Sequence, residues 1–296
     1  FKYPVSGKYI SYFGDIEDGE PVVTASYSKL KQRGYNIEGW TKLKDGRTWL
    51  LNASLMGGGH LSGVYSAEAT HDEGVGSFYL RIFNNELDGV WAGYDSINKI
   101  TSSGRYLFKK VLPVKISKAK KSDFTALLSI ADAQFGPGYL NSDNITQTDA
   151  NKFYIAKNKG KVIGFVSGGF TDINYTSEDP TPPTPMDVQH AGEINKLGIL
   201  KIIAVDPSVS GRGVGDKLFT HLENELQSKD CSLIIVPAWK SDKGIHLEGI
   251  LKSNGYTQFA IQEKFWKTGC DNNDFNCTSR TDECTCDLAW FKKTLS

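Results

Sequence analysis

The first 112 residues alternate hydrophobic and polar positions over short stretches separated by turn-forming residues. Alternation with a period of two predicts β-strands with one buried face. Clusters of Gly, Asp, Asn and Ser between the stretches favour tight turns, and no stretch shows sustained helical periodicity. We predict eight strands, at 8–13, 21–31, 35–43, 48–56, 61–67, 76–83, 87–94 and 104–110. This spacing predicts an all-β antiparallel barrel, with a sandwich as the alternative.

A glycine followed two positions later by an aromatic residue recurs in this region, at Gly7, Gly63, Gly76, Gly89 and Gly104. Glycine lets a strand bend or approach its neighbour, and the aromatic ring fills the adjacent space. The pattern generically resembles small lipocalin-like β-barrels. A barrel of about eight strands either holds one small ligand or is filled by its own side chains. The sequence leaves both alternatives open.

Residues 113–296 mix strand and helix patterns, which predicts an α/β domain. Strands are predicted at 114–117, 153–156, 162–170, 199–205, 232–236, 257–266 and 287–293. Helices are predicted after Ser122 or Asp123, either of which can cap the first turn, from Val214, and over 244–253. The polar stretch 171–193 is predicted to be a surface loop, because its four prolines exclude a strand or helix interior.

Composition also changes near residue 113. Half of the 30 glycines precede this position, whereas all five cysteines follow residue 230. We therefore predict two domains, 1–112 and 113–296. Lys plus Arg and Asp plus Glu both number 34, so the net charge is zero. The chain therefore lacks the excess of basic residues that binding to nucleic acid would need, and no nucleic-acid partner is expected.

Neither a membrane span nor a signal peptide is evident, since no apolar run approaches the ~18 to 20 residues that a bilayer requires. The chain begins at Phe1 rather than Met, so we expect a trimmed or processed product.

The most informative segment follows the predicted strand 199–205. Asp206-Pro207 ends that strand, and the run Ser210-Gly211-Arg212-Gly213-Val214-Gly215 leads into a helix with Leu218, Leu222 and Leu226 on one face. A glycine-rich turn at a helix N-terminus presents main-chain N–H groups that bind phosphate oxygens. The spacing fits neither the P-loop nor the dinucleotide-binding pattern.

This run resembles the acetyl-CoA signature of the GNAT superfamily of N-acetyltransferases, Q/R-x-x-G-x-G/A after a strand ending in V-x-P. Ser210 stands at the first position, Gly213 and Gly215 match the last two, and Val205-Asp206-Pro207 supplies the strand end. The order of the elements after the run also resembles the family. The resemblance implies a GNAT fold for 113–296, with a mixed central sheet flanked by helices.

The resemblance also implies acetyl-CoA as cofactor and an acetyltransferase that acts on a primary amine by direct attack on the thioester. Ile203 and Val205 would bind the pantetheine arm through main-chain groups. The pyrophosphate would be bound by Ser210, Gly211, Arg212, Gly213, Val214 and Gly215. The acceptor amine, on a small molecule or a protein, is not identified, and the barrel would bind a substrate or partner. A cytoplasmic location is expected, because acetyl-CoA is an intracellular cofactor.

The family's catalytic residues do not carry over. Ile199, Leu251 and Gly244 stand where many members have Glu, Tyr and Asn. Glu193 and His246 remain as candidate titratable groups for the proton transfers that the reaction needs. Two interpretations stay open: an active enzyme that uses other groups, and a catalytically weak acyl-CoA-binding sensor.

Four cysteines cluster late in the chain, at Cys270, Cys277, Cys284 and Cys286, within a predicted insertion at 268–287. Four thiolates can form a tetrahedral structural zinc site that stabilises a loop without its own core. Two disulfides or free thiols are the alternatives. The insertion resembles one in some bacterial GNAT proteins, so a bacterial origin is expected.

Overall fold

The computed structural model describes residues 3–17, 20–43, 45–69, 74–95, 99–145, 147–172, 196–242, 244–272 and 284–295. The chain divides into two compact units. One comprises Phe1–Leu112 with Gly211–Gly213, and the other comprises Pro113–Ser210 with Val214–Ser296.

The first unit contains a closed antiparallel barrel of eight strands. The prediction of a barrel is confirmed, because β1 pairs with β8 as well as with β2. Closure removes the unpaired strand edges that an open sheet would expose. The strands are β1 (Gly7–Glu17), β2 (Glu20–Arg33), β3 (Asn36–Lys42), β4 (Thr48–Met56), β5 (His60–Ala67), β6 (Val75–Phe83), β7 (Glu86–Asp95) and β8 (Ile100–Lys110).

Inward-facing side chains from all eight strands form one hydrophobic cluster inside the barrel. Tyr65 stacks on Trp49 with ring centroids 5.0 Å apart, and the Tyr106 and Phe108 centroids are 4.4 Å apart. Aromatic rings of this size bury large areas and dominate the packing of a small core. Of the two alternatives left by the sequence, the packing therefore favours an interior occupied by the barrel's own side chains.

A chain of buried hydroxyl groups crosses the first three strands within this core. Ser11 Oγ lies 2.7 Å from Ser28 Oγ, and Ser28 Oγ lies 2.7 Å from Thr41 Oγ1. Thr41 Oγ1 is 3.4 Å from Tyr106 OH, whose pKa is raised well above its ordinary value by burial. These mutual hydrogen bonds satisfy polar groups that would be costly to bury alone.

Two glycines provide the space that Tyr65 needs. A Cβ atom on either Gly76 or Gly93 would overlap the Tyr65 hydroxyl oxygen. Gly76 belongs to the recurring glycine–aromatic motif, so here the motif keeps room for a ring from the neighbouring strand β5.

The second unit is built on a mixed sheet with the strand order β15-β16-β13-β12-β11-β10-β9, and β14 pairs with β13. Its strands are β9 (Lys115–Lys118), β10 (Lys152–Asn158), β11 (Lys161–Asp172), β12 (Lys196–Val205), β13 (Leu233–Ser241), β14 (Gly244–Ile245), β15 (Thr257–Gln262) and β16 (Asp287–Thr294). Its helices are α1 (Phe124–Phe135), α2 (Val214–Gln227), α3 (Glu248–Ser253) and α4 (Lys267–Asp271). Among the described residues, no helix is both long and apolar enough to cross a bilayer.

Helices α1 and α2 cover opposite faces of this sheet. The cluster around α1 includes Phe153 and Ile155 of β10, whereas Tyr154 between them lies against His221 of α2. Successive side chains of a strand point to opposite faces. The buried stripe predicted for α2 is confirmed, since Val214, Leu218, Leu222 and Leu226 are all buried.

Several predicted boundaries are wrong. The predicted helix over 244–253 is shorter, because Gly244 pairs with Ser241 in a hairpin and the helix begins at Glu248. Strand β13 continues through Pro237 to Ser241, whereas the sequence predicts its end at Val236. The predicted insertion 268–287 begins within α4 and ends in the first residue of β16.

The predicted loop 171–193 also starts later than expected. Thr171 and Asp172 belong to β11, because they pair with Leu197 and Lys196 of β12. The rest of that stretch lies outside the described residues.

Asp123 does not cap α1 through its side chain. Its carboxylate accepts a hydrogen bond from Lys120 N at 3.0 Å and forms an ion pair with Lys157 at 2.7 Å. The physical reason is a 3-10 turn, Lys121–Asp123, which directly precedes the helix. The Asp123 carboxylate accepts from the main chain at the start of this turn instead of capping α1.

We expect Gly93→Ala to lower the free energy of unfolding by about 1–3 kcal/mol, the usual cost of overpacking a core. Tyr65 cannot retreat easily, because it is stacked on Trp49. Gly57→Ala is the matched control, since no atom would lie within 4 Å of its Cβ. Urea unfolding measures both, and the double variant Gly93→Ala/Tyr65→Phe should recover part of the loss. Equal stability of the two single variants would contradict the predicted clash.

Candidate active site

Strands β12 and β13 are parallel neighbours that separate after three residue pairs. Within the described part of the sheet, their ladder is limited to Leu197–Leu233, Gly198–Ile234 and Ile199–Ile235. Beyond these pairs, Leu200–Val205 of β12 and Val236–Trp239 of β13 face a gap, which we call the split. An opening between strands in the interior of a sheet exposes main-chain donors and acceptors that need partners.

A β-bulge in β12 marks the start of the split. Gly168 of β11 pairs with Leu200 and the preceding Ser167 pairs with Ile202, so Lys201 is an extra residue in the register of these two strands. A bulge bends its strand and leaves the extra residue unpaired. A Cβ on Gly168 would overlap the carbonyl oxygen of Ile199, so this glycine permits the close approach.

Pro237 limits pairing on the other side of the split. Leu295 N donates to Ser232 O, and hydrogen-bonded pairs alternate along an antiparallel ladder. By this alternation the main-chain groups of Pro237, which is opposite Trp290 of β16, point away from β16 and toward β12. Proline has no N–H to donate, so β13 cannot continue its ladder with β12 at this position.

The same alternation shows which groups of β12 face the split. Asp206 N donates to Ile163 O at 2.9 Å, so the next pair, Val205 with Gly164, is not hydrogen-bonded across the ladder. The N–H and C=O groups of Val205 and Ile203 therefore point away from β11. The Val205 carbonyl accepts a hydrogen bond from Gln134 Nε2 at 2.6 Å.

A capped turn connects β12 to the glycine-rich run. The Asp206 side chain accepts from Ser208 N at 3.0 Å and from Ser208 Oγ at 2.7 Å, at the start of the 3-10 turn Pro207–Val209. Ser210 N donates to Pro207 O at 3.2 Å, so the turn uses this amide. Hydrogen bonds from Ser208 and the nearby Lys161 ammonium hold the pKa of Asp206 below its ordinary value.

Two glycines of the run adopt left-handed backbone conformations. Gly211 has φ 74° and Gly213 has φ 73°, and α2 begins at the next residue, Val214. Side chains other than glycine are strained in this region. The two glycines therefore allow the backbone conformation that connects the run to the first turn of α2. The Arg212 guanidinium forms an ion pair with Glu86 of β7 at 3.2 Å and donates to Asn84 O at 3.4 Å, and its predicted role at a pyrophosphate stays a prediction.

His246 lies beside the split. Lys240 of β13 pairs with Asp287 of β16 and with Ile245 of β14, so β14 occupies the edge of β13 that faces β12. His246 follows β14 directly, is exposed, and packs against Trp239 with ring centroids 5.9 Å apart. The hairpin thus places an exposed imidazole and an indole at the edge of the split.

Within the described residues, no titratable side chain comes from the second catalytic candidate or from the positions where other family members have catalytic residues. Glu193 lies outside the described part of the chain. Ile199 is buried in the last pair before the split, and Leu251 is fully buried in α3. Gln134 and Trp239 were not predicted as site residues from the sequence, because their role depends on which strand edges face each other. The sequence signal that could have identified Gln134 is its place as a polar residue on the buried stripe of α1.

The cysteine-rich segment is only partly described. Cys270, Cys284 and Cys286 are buried in one cluster with Trp239 and Trp266, and Cys277 lies outside the described residues. The described residues contain no group of three or more His, Cys, Asp or Glu side chains arranged to bind a metal. The predicted structural zinc is therefore unsupported. Cys231, two residues before β13, is buried, and burial raises the pKa of its thiol.

Residues 149–258 match the family model described as acetyltransferase (GNAT) domain. No protein of curated function matches the chain at a significant level. The second unit thus carries a GNAT acetyltransferase domain, the class of domain that transfers an acetyl group from acetyl-CoA, and the predicted GNAT fold is confirmed. The family match covers 110 of the 296 residues and leaves the barrel unassigned.

Solved structures similar to this chain include three bacterial acetyltransferases. The ribosomal-protein-S18-alanine N-acetyltransferase of Escherichia coli is 17% identical over 62% of this chain and 95% of that one, with a TM-score of 0.43. The Bacillus subtilis acetyltransferase in complex with CoA is 15% identical over 62% and 100%, with a TM-score of 0.41. A GNAT family acetyltransferase from Elizabethkingia anophelis with acetyl-CoA bound is 18% identical over 62% and 98%, with a TM-score of 0.42.

We expect the Asp206 turn to stabilise the protein in a pH-dependent way. A carboxyl group whose pKa is lower in the folded than in the unfolded protein stabilises the fold at any pH above its unfolded pKa. This stabilisation is lost as the pH falls through the folded pKa. Asp206→Asn keeps the capping acceptor but no longer titrates. Urea unfolding between about pH 5 and pH 2 should therefore show a smaller loss of stability for Asp206→Asn than for the unchanged protein.

Ser208→Ala is the companion variant for this measurement. It keeps the Asp206 carboxylate but removes the hydroxyl donor, so the folded pKa of Asp206 should lie closer to its unfolded value and the total acid-dependent loss should be smaller than in the unchanged protein. Identical acid profiles for all three proteins would refute a stabilising role of the turn.

Proposed function

We propose that this protein is an active N-acetyltransferase whose cofactor arm binds in the split and whose acceptor is a primary amine. The observation that carries the proposal is the separation of β12 and β13, which leaves main-chain groups of Ile203 and Val205 directed at the opposite strand. These groups fit an extended ligand with amide groups, because an open strand edge binds such a ligand as it would bind another strand. The pantetheine arm of CoA is a ligand of this kind.

The glycine-rich run is the proposed site for the pyrophosphate. The amides from Gly211 to Gly215 precede and enter the first turn of α2, where unpaired N–H groups and the helix dipole favour an anion. The Ser210 amide is excluded from this role, because Pro207 O already accepts from it. The Ser210 contribution proposed from the family pattern is thus limited to its side chain.

Two further groups are proposed for the chemical step. When bound, acetyl-CoA supplies a thioester carbonyl that an amine can attack. The amide of Lys201, released from the β11 ladder by the bulge, is the proposed donor for the negative charge that develops on the carbonyl oxygen. His246 is the proposed base that removes a proton from the acceptor ammonium before attack.

Trp239 supports the assignment of His246. Its ring packs on the imidazole and is itself anchored in the cluster of Cys270, Cys284, Cys286 and Trp266. A base must be held within reach of the proton that it removes. A ring contact anchored in a buried cluster restricts the directions that the imidazole can take, although His246 itself is exposed.

A second candidate function is a sensor that binds acetyl-CoA with little turnover. The observation that favours it is the apolar character of two positions where the family has catalytic groups: Ile199 is 4% exposed and Leu251 is fully buried. In either case the barrel is the proposed module for a substrate or partner. It presents outward-facing apolar side chains on β5, β6 and β7, namely Val64, Val75, Tyr79, Val90 and Tyr94.

The first test of the proposal is ligand binding by the full chain. We expect CoA and acetyl-CoA to raise the melting temperature, because a ligand that binds only the folded state stabilises it in proportion to its concentration. We also expect free CoA thiol to be released with at least one member of a panel of amines. Absence of a shift with both ligands would reject the cofactor site, whereas binding without thiol release would favour the sensor.

The second test is His246→Gln, assayed with whichever amine is turned over. We expect kcat to fall by about 10²–10⁴, the usual contribution of a positioned base, and the acidic limb of the kcat/KM profile against pH to disappear. His221→Gln is the matched control, because His221 packs against Tyr154 of β10, a strand that β11 separates from the split. An unchanged kcat and profile for His246→Gln would remove His246 from the mechanism.

A further inference from the structure

Gln134 breaks the hydrophobic pattern of α1. The buried stripe of this helix runs through Leu127, Ile130 and Ala131, which pack against β10–β12. Residue 134 lies seven positions after Leu127, so helical periodicity places it on the same face. A polar, partly buried side chain at this position needs a hydrogen-bond partner.

The partner of Gln134 is a main-chain group of the split. Gln134 Nε2 donates to Val205 O at 2.6 Å. The ladder with β11 does not use this carbonyl, because Val205 and Gly164 form a pair without cross-strand hydrogen bonds. A side-chain amide thus occupies an acceptor that an arm in the split would otherwise reach.

We propose that Gln134 is a positioning residue that exchanges with the cofactor: its side-chain amide holds the Val205 carbonyl in the free protein and yields it to an amide N–H of the pantetheine arm. This inference rests on the proposed function. In the free protein the contact satisfies a group that the separated strands leave open. In the bound protein the cofactor amide supplies the same hydrogen bond, and Gln134 turns to solvent.

The exchange has a measurable direction. In the proposed exchange, cofactor binding breaks the Gln134–Val205 hydrogen bond, whose net stabilisation is the ordinary one for an intramolecular hydrogen bond. In a variant that lacks this hydrogen bond in the free protein, none of the free energy of CoA binding is spent on breaking it. CoA should therefore bind about 2- to 10-fold more tightly to such a variant. A residue that merely supports the fold would leave CoA affinity unchanged or weaken it.

The experiment compares Gln134→Met and Gln134→Asn by calorimetric titration of the full chain. Methionine keeps the length of the side chain without a donor, and asparagine keeps the amide but is one methylene too short to reach Val205. Both should bind CoA more tightly by the stated factor. The second probe is adenosine 3′-phosphate 5′-diphosphate, the nucleotide part of CoA without the arm, whose affinity should not change.

Gln147→Met is the matched control. The Gln147 side chain is exposed, but its Nε2 also donates to main-chain carbonyls, which belong to Ala119 and Phe153, away from β12. Its CoA affinity should equal that of the unchanged protein. Thermal unfolding of each variant without ligand verifies that it is folded.

The outcomes separate this inference from the proposed function. Tighter CoA binding in both Gln134 variants, with constant nucleotide affinity, supports the exchange. Unchanged or weaker CoA binding, or an equal change for CoA and the nucleotide, overturns it while the cofactor site stands. If the unchanged protein binds neither probe, the cofactor site itself is refuted and the exchange with it.

Discussion

Main-chain hydrogen bonding between β12 and β13 is the constraint on which the candidate site depends. Two neighbouring strands inside a sheet normally satisfy each other's donors and acceptors, and they must do so or find substitutes. Here the extra residue Lys201 in β12 and the missing donor of Pro237 in β13 end the shared ladder after Ile199 and Ile235. The groups left open define what could bind: at Val205 one of them accepts a hydrogen bond from the Gln134 side chain, and the proposed amide-bearing ligand would use the same strand edge.

The predictions that succeeded concern features that a short stretch of sequence determines. Eight alternating segments were enough to predict the barrel, because a period of two assigns each residue to the inside or the outside. The glycine-rich turn before α2 was also predictable, because Gly211 and Gly213 adopt conformations that few other residues tolerate, whereas its role at a pyrophosphate stays a prediction. A buried stripe on α2 followed in the same way from Leu218, Leu222 and Leu226.

The features that could not be predicted depend on register between distant segments. Pro237 resembles a strand end in the sequence, and only its place opposite Trp290 shows that the missing N–H faces β12. Gln134 and Val205 are 71 residues apart, and no local pattern relates them. His246 was a candidate from its chemistry alone, whereas its position beside the split follows from the pairing of Ile245 with Lys240. The sequence therefore indicated which side chains could take part in the chemistry, but not where they lie relative to the split.

The buried hydroxyls of the barrel have a consequence for how its strands align during folding. Sliding β2 by two residues against β1 would keep every side chain on its own face, so hydrophobic patterning alone does not prevent that error. A slide in the direction that places Thr24 opposite Ser11 would, however, move Ser28 opposite Gly7 and break the hydrogen bond between the Ser11 and Ser28 hydroxyls in an apolar interior. A few oxygen atoms thus discriminate against misaligned barrels that hydrophobic burial would tolerate.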